Sequence, residues 1–292
     1  MPVKTRSRLV RRSFDRASAG YDRAAVVQGE IRARLLERLD LVKLAPAVVV
    51  DLGAGTGHAT RALHRRYPRA RVVALDLAGQ MLREARRQQS WWRPFERVAA
   101  DVERLPLADA SVDLAFSNLM LHWCGEPDRA FAEVRRVLRV DGLFTFTTLG
   151  PDTLRELRAA WRQVDGHAHV NTFIDMHDLG DALMRTGFAE PVMDMERLTV
   201  TYPSLDALLA ELKAGGSRPV DPAMRRGLTS RRALDTLRSA YPATGAAGST
   251  SIAATVEVVY GHAWAGATRR AAPAGEVRVP IGQLRRPRPG RS

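Results

Sequence analysis

The stretch VVVDLGAGTGHAT at residues 48–60 decides the fold. Its apolar, β-branched start predicts a buried strand. The strand runs into an acid and three glycines spaced two apart, namely Asp51, Gly53, Gly55 and Gly57. Glycines directly after a strand allow a tight turn and let a ligand approach the backbone without meeting a Cβ atom. A dinucleotide-binding turn has the spacing G-x-G-x-x-G, but His58 occupies the place of its last glycine. The stretch therefore predicts a ligand-binding turn that is not built for a pyrophosphate.

Apolar runs alternate with helical stretches on both sides of this turn. The runs AVVVDL, RVVALD, FERVAAD, VDLAFSN and GLFTFTTL are separated by stretches such as TRALHRRY and DRAFAEVRRVLR. This alternation predicts βαβ units and a mostly parallel sheet covered on both faces. After Gly150 we expect helices, a strand in PVMDMERLTVTY, two helices within residues 204–240 and a last strand in IAATVEVVYGHAW. The predicted fold is a doubly wound, mostly parallel α/β sheet of seven strands, with helices inserted after strand five and between the last two strands.

The formal net charge of +13 is concentrated at the two ends of the chain. Residues 1–12 contribute +5 of it, and the segment from Arg269 onward contributes +6. The region between them is nearly neutral, so the sequence does not predict a basic groove or a specific nucleic-acid partner. Basic arms alone give non-specific, salt-sensitive affinity for nucleic acid. A non-enzymatic nucleic-acid binder stays an alternative that rests on the two ends alone.

Cysteine and histidine usage excludes several kinds of site. Cys124 is the only cysteine, so the chain can form neither an internal disulfide framework nor a metal site built on paired thiolates. No histidine pair has a metal-ligand spacing beside an acid, and we expect no metal ion. The start MPVKTRSRLVRRSFDR lacks the apolar segment of a secretory signal, and the apolar runs are too short to cross a bilayer. We expect a cytoplasmic protein that does not enter a membrane.

Two further acids follow the next predicted strands. Asp76 ends the run RVVALD, and Asp101 ends the run VAAD. Ligands of doubly wound sheets bind at the carboxyl ends of the strands, so both acids should lie beside the glycine turn. An acid at Asp76 can accept both hydroxyls of a ribose, and Asp101 or its neighbours' backbone could read the amino group of an adenine. Met81 could pack on the adenine face or, as is commoner at this spacing, in the core.

The order of acid, spaced glycines, ribose acid and adenine acid resembles the S-adenosylmethionine-dependent methyltransferases of the doubly wound type. In that family the acid at the position of Asp51 orients the methionyl part of the cofactor, through its amino group or loop waters. The resemblance implies S-adenosyl-L-methionine as the cofactor. The cofactor-binding residues that it implies are Asp51, Gly53, Gly55, Gly57, Asp76, Met81, Asp101, Val102 and Asn118.

Segments outside the cofactor half narrow the resemblance. The head SFDRASAGYDRAAVVQ, the stretch SNLMLHWCGEPDRAFAEVRRVLRVDG and the later segments HVNTFIDMHDLGDALMRTGFAEPVMDMERLTVTY and VEVVYGHAW resemble the malonyl-acyl-carrier-protein O-methyltransferases of biotin synthesis. The similarity covers roughly residues 13–265, and the arginine-proline tail departs from the family. It implies methyl transfer to the free carboxylate of a malonyl thioester on acyl carrier protein, an early step of biotin synthesis.

The expected organisation divides the chain into five segments. They are a basic flexible head (1–12), N-terminal lid helices (13–45), an S-adenosylmethionine-binding α/β half (46–150), a substrate half with inserted helices (151–265) and a disordered basic tail (266–292).

Three residues are the candidates for catalysis. A carboxylate is ionised at neutral pH, so its attack on a sulfonium methyl needs no general base. Positioning an anion suits the planar fork of an arginine, and Arg155, after the fifth strand, is the candidate. The alternative for Arg155 is a solvated helix residue. The resemblance implies that Tyr21 belongs to a lid over the cofactor, and His122 follows the fourth strand as a possible wall near the methyl group.

A local excess of positive charge lies between Lys213 and Arg238. It predicts either a solvated helix face or, given the implied substrate, a surface that binds an acidic carrier protein. The residues expected to contact the carrier protein are Lys213, Arg225, Arg226, Arg231 and Arg232.

Two other enzyme functions stay open as alternatives. One is a methyltransferase for another small carboxylic acid such as trans-aconitate, and the other is an arginine-hydroxylating assembly-factor relative.

Overall fold

The computed structural model describes residues 3–217, 229–244 and 251–266. Strands β1 to β7 are Val48–Leu52, Arg71–Asp76, Glu96–Ala99, Val112–Asn118, Leu138–Leu149, Ala189–Tyr202 and Ile252–Ala265. They form one sheet in the order β3-β2-β1-β4-β5-β7-β6. The first five strands are parallel, and β7 runs antiparallel to both β5 and β6. The predicted doubly wound, mostly parallel sheet of seven strands is confirmed.

The helices cover both faces of this sheet. Helices α1 to α10 of the described residues are Val3–Ala17, Tyr21–Ala24, Val26–Arg38, His58–Arg66, Gly79–Ala85, Pro127–Val137, Arg155–Arg162, Met176–Arg185, Leu205–Ala214 and Arg231–Ala240. The pair α7 and α8 follows β5, and the pair α9 and α10 lies between β6 and β7, as the sequence predicts.

The core explains why these segments fold as they do. The strand β1 is buried over almost its whole length, as a central strand covered on both faces must be. In β5, Phe144 and Phe146 are two residues apart, so they share one face of the sheet, where Phe131 of α6 packs against both rings. On the other face, Ile31 and Leu35 of α3, four residues apart, are fully buried against the sheet.

The N-terminal segment differs from its prediction. Residues 3–17 form one helix, which runs through the boundary expected at residue 12. The reason is that Val10 and Phe14, four residues apart, give α1 an apolar side. Val10 is buried, while Arg11 and Arg12 are exposed. Residues 3–12, which the sequence predicted as a separate flexible head, are therefore part of α1, and the expected tail after Gly266 lies outside the described residues.

The length and hydropathy of a helix decide whether it can span a membrane. Within the described part of the chain, no helix combines the length and the apolar character that crossing a membrane requires.

Candidate active site

A cavity of about 410 Å³ lies at the carboxyl ends of the central strands. Its walls come from the glycine turn, from α1 and α3, and from α7 and α9 of the substrate half, so the cavity joins the two halves. Most of the predicted site residues line it, namely Tyr21, Gly53, Gly55, Asp76, Met81, Asp101, Val102, Asn118 and His122. The predicted residues Asp51, Gly57 and Arg155 are not part of its lining.

The glycine turn leaves room for a ligand at one position. A Cβ atom on Gly55 would meet no protein atom within 4 Å, and Gly55 lines the cavity. A Cβ atom on Gly53 would overlap the side chain of Met120. Gly57 directly precedes α4, behind the turn, and a Cβ atom on it would overlap Ala85. Gly53 and Gly57 are therefore required by packing, whereas the open space at Gly55 suits a bound group that approaches the backbone.

Asp76 is held by the backbone at the end of β2. Its Oδ2 accepts the Gly55 N–H at 2.8 Å, and its Oδ1 accepts the Ala78 N–H at 2.7 Å. Burial raises the pKa of Asp76 to about 6. Each carboxylate oxygen has a further lone pair, so this fixed group can accept the two hydroxyls of a ribose.

Asp51 lies beneath the turn rather than in the cavity wall. Its side chain is buried, and its Oδ2 accepts the Thr60 hydroxyl at 2.5 Å. Burial raises the pKa of Asp51 to about 7, and the negative charge of Asp76 acts in the same direction. Any effect of Asp51 on a ligand therefore passes through its electric field or through the glycine turn.

Helix α1 closes the cavity over Asp101. The sequence predicted Asp101 but not its contact with this helix. Ser7 Oγ donates to Asp101 Oδ2 at 3.0 Å, and Arg6 donates to the carbonyl oxygens of His122 and Trp123, both at 3.3 Å. Phe14 packs edge-on against Trp123, with ring centroids 5.2 Å apart. The spacing of Val10 and Phe14 was the available signal for this helix, but the density of arginines around it obscured the pattern.

Three buried polar atoms in the cavity residues have no hydrogen-bond partner within the described structure. They are Gln28 Oε1, Glu103 Oε2 and His122 Nδ1, and all three residues line the cavity. Buried polar atoms in native proteins are almost always paired, so unpaired ones at a cavity call for a ligand or ordered water. None of the sequence patterns singled out Gln28 or Glu103.

The charge of the lining suits a cationic ligand. Its acids are Asp76, Asp101, Glu103 and Glu211. Among the described lining residues, the lysine and arginine side chains are Lys213 and Arg11, and both are exposed. Burial lowers the pKa of His122 to about 3, so this imidazole is neutral. The interior is therefore electrostatically suited to a sulfonium with its ammonium group, and the open Gly55 and fixed Asp76 suit the rest of the predicted cofactor.

Asn118 lines the cavity, but its amide is largely used within the protein. Its Nδ2 donates to the Gln28 carbonyl oxygen at 3.3 Å, and its Oδ1 accepts the Thr147 hydroxyl at 2.9 Å. These bonds tie α3 to the ends of β4 and β5. The geometry supports a role for Asn118 in holding Gln28 at the cavity, in addition to its predicted contact with the cofactor.

Arg155 is not among the residues that line the cavity, so the geometry does not support its predicted role. Its exposed side chain pairs with Glu156 at 3.2 Å and with Asp152 at 3.8 Å. The side of α7 that faces the cavity carries Leu157 and Trp161, four residues apart, and Arg155 lies on another side of the helix. The sequence located α7 correctly but did not fix the rotation of the helix.

The fold and this site together define the class of protein, an S-adenosyl-L-methionine-dependent methyltransferase. Residues 50–146 match a family described as a methyltransferase domain. The YcgJ protein from Bacillus subtilis has a similar fold, with a TM-score of 0.58 at 17% sequence identity over 82% of this chain and 99% of its own.

Curated relatives then identify the family. A malonyl-acyl-carrier-protein O-methyltransferase from Laribacter hongkongensis is 52% identical over 268 residues, which cover 89% of this chain and 90% of the relative. An enzyme of the same name from Halorhodospira halophila is 46% identical over 283 residues, with 96% of each chain covered. The chain belongs to the malonyl-acyl-carrier-protein O-methyltransferase family.

Cofactor affinity is expected to fall on acidification. The raised pKa values, about 7 for Asp51 and about 6 for Asp76, place the protonation of Asp51 around neutral pH and that of Asp76 just below it. A ligand with an ammonium group and ribose hydroxyls binds the ionised carboxylates more tightly, so protonation opposes binding. We expect the dissociation constant of S-adenosylhomocysteine to rise at least about tenfold between roughly pH 8 and pH 5.5.

Titration calorimetry across this pH range measures the effect. Asp51→Asn should remove most of the dependence above about pH 6, because the remaining carboxylate titrates lower. A dissociation constant that does not change with pH in the unmodified protein would contradict the role of these acids.

Proposed function

We propose that this protein transfers a methyl group from S-adenosyl-L-methionine to the free carboxylate of a malonyl thioester on acyl carrier protein, an early step of biotin synthesis. The observation that carries the proposal is the cavity that joins the glycine turn to the substrate half, in a chain of this family. The cytoplasmic location expected from the sequence is part of the proposal.

The reaction needs positioning and dehydration more than proton transfer. The bound cofactor would supply a methyl group activated by a sulfonium. The malonyl carboxylate is already ionised at neutral pH, so no general base is required. Transfer neutralises both charges, and a buried cation beside the carboxylate would stabilise the reactant more than the transition state. The lining agrees with this requirement, since its described lysine and arginine side chains are both exposed.

Neutral side chains are better suited to hold the reacting carboxylate. Burial raises the pKa of Tyr21 to about 12, so its hydroxyl stays protonated and can donate a hydrogen bond. His122 is neutral, and its Nδ1 has no partner within the described structure. We assign Tyr21 and His122 to this positioning role in place of Arg155.

The carrier protein would bind at the basic face formed by α10 and the end of α9. Arg231 and Arg232 are exposed at the start of α10 and have no ion-pair partner among the residues described. Arg238 lies on the same helix, but Asp206 and Asp235 pair with it at 2.9 and 2.8 Å. Arg225 and Arg226 of the predicted surface lie outside the described residues. Of the described arginines of α10, Arg231 and Arg232 are therefore the ones available to an acidic partner.

Charge reversal at these two arginines should weaken carrier-protein binding. We expect the double variant Arg231→Glu, Arg232→Glu to raise KM for malonyl carrier protein roughly tenfold and to leave KM for a small malonyl thioester unchanged. Steady-state kinetics measure both. The matched control is Arg65→Glu, Arg69→Glu, which makes the same charge change at exposed positions around the end of α4. Equal effects of the two double variants, or equal losses on both substrates, would exclude this surface.

An acceptor comparison tests the proposed function. The purified protein is incubated with S-adenosylmethionine and malonyl carrier protein, malonyl-coenzyme A or free trans-aconitate, and the mass of each acceptor is followed. The proposal predicts a methyl group mainly on the malonyl carrier protein. A methyl group mainly on aconitate would identify the other methyltransferase, and an added oxygen on a protein arginine would identify the hydroxylase alternative.

A further inference from the structure

The mouth of the cavity is marked by two positive charges. Among the described residues that line the cavity, Arg11 and Lys213 are the exposed ones, and the others are buried or half-buried. Residues that both line a cavity and contact solvent lie at its opening. Neither side chain has an ion-pair partner among the residues that the structure describes.

The two cations are held at this opening by contacts between their elements. Arg11 lies on the side of α1 that also carries Phe14, and Lys213 is in the last turn of α9. Ser13 Oγ donates to the Gly216 carbonyl oxygen at 2.9 Å. A Cβ atom on Gly216 would lie only 3.2 Å from the Phe14 ring, so the two segments pack closely. The backbone positions of Arg11 and Lys213 relative to each other are therefore set by the fold.

The cavity behind the mouth is lined by acids, so a phosphate is more favourable at the mouth than inside. Its acids are Asp76, Asp101, Glu103 and Glu211, and its described cations stand at the rim. From Lys213 inward, α9 contributes the apolar side chains Leu208, Leu209 and Leu212 to the wall. Glu211 of the same helix also lines the cavity, and its carboxylate accepts the Tyr202 hydroxyl at 2.9 Å. An elongated ligand with a phosphate at one end and an uncharged chain next to it fits this distribution. The phosphate would stay at the mouth while the chain enters, and a carboxylate at the inner end would meet the positive charge of the bound cofactor's sulfonium.

We propose that Arg11 and Lys213 bind the phosphate of the substrate's phosphopantetheine arm, with the malonyl thioester at the inner end. This inference rests on the proposed function and refines its substrate. Lysine and arginine are the usual partners of phosphate oxygens, and two of them on separate elements can contact one phosphate from two sides. The same phosphate occurs in an acyl carrier protein and in coenzyme A, so the recognised chemistry is shared by both.

Substrates with and without the phosphate test the inference. Initial rates are measured with malonyl carrier protein, malonyl-coenzyme A and malonyl-pantetheine, which lacks the phosphate. The double variant Arg11→Ala, Lys213→Ala should raise KM for the two phosphorylated substrates about tenfold or more. For malonyl-pantetheine its KM should stay within about twofold of the unmodified enzyme, and kcat should be unchanged for all three. The control Arg12→Ala removes a neighbouring exposed charge that does not line the cavity, and it should change no KM.

Three results would overturn the inference. One is an equal rise in KM for malonyl-pantetheine, and a second is a rise for the carrier protein with none for malonyl-coenzyme A, which would indicate a protein surface instead. The third is a larger dissociation constant for S-adenosylhomocysteine in the double variant, which would show that the two cations contribute to cofactor binding instead. Failure of the unmodified protein to methylate any of the three substrates is a separate result, which would remove the proposed function and this inference with it.

Discussion

Asp76→Ala is expected to weaken binding of S-adenosylhomocysteine by roughly 30- to 150-fold. The carboxylate lines the cavity and is fixed by the N–H groups of Gly55 and Ala78. Its loss removes the acceptor for two ribose hydroxyls. Because hydrogen bonds to a charged group are strong, we expect a loss of about 2–3 kcal/mol in binding free energy. Titration calorimetry measures the change in affinity. Circular dichroism establishes that the variant is folded.

A matched acid separates cofactor binding from stability. Asp113 also accepts two backbone N–H groups, those of Ala47 and Val48, both at 2.8 Å, but near the start of β4, at the opposite edge of the sheet. Asp113→Ala should lower the midpoint of thermal unfolding and leave the affinity for S-adenosylhomocysteine within about twofold. If both variants lost affinity equally, the loss would come from destabilisation of the sheet, and the ribose assignment would be wrong.

Gly55→Ala is expected to reduce cofactor affinity by about 10- to 100-fold while the protein stays folded. Its φ of +54° lies in the left-handed region, so an alanine costs about 1–2 kcal/mol of stability. No protein atom lies within 4 Å of the new Cβ atom, so the methyl group would occupy space that is available to the ligand. Thermal unfolding and calorimetric titration distinguish the two effects.

Gly53→Ala provides the contrast within the same turn. Its Cβ atom would overlap the Met120 side chain, so the expected result is a larger loss of stability than at Gly55. Adding Met120→Ala should recover part of that stability, because the overlapping side chain is removed. Unchanged cofactor affinity in a folded Gly55→Ala variant would show that the cofactor does not approach this turn.

Topology accounts for the part of the site that the sequence predicted. The acids Asp76 and Asp101 were placed by a rule that applies to every doubly wound sheet, since the carboxyl ends of parallel strands meet at one edge. The rule tolerates small errors in strand bounds: Asp101 lies two residues beyond the end of β3 and still lines the cavity.

Rotation and long-range contacts account for the part that the sequence did not predict. Arg155 was assigned to the correct helix but to the wrong side of it, because a rotation of one residue moves a side chain by about 100° around the axis. The contact of Ser7 with Asp101 joins residues 94 positions apart, and no local pattern encodes it. Gln28 and Glu103 stand out because their buried oxygens lack partners, which is a property of the folded protein alone.

The chemical position of the transferred methyl group is the most direct test of the proposed function. In a single turnover with methyl-labelled S-adenosylmethionine and malonyl carrier protein, the labelled product would be fragmented and located by mass spectrometry. Methyl transfer to the terminal carboxylate predicts a labelled methyl ester at the end of the malonyl group, which mild alkali releases as labelled methanol. A label on the malonyl carbon chain or on a side chain of the carrier protein would contradict the proposed function, and so would the absence of label from both the malonyl group and the carrier protein.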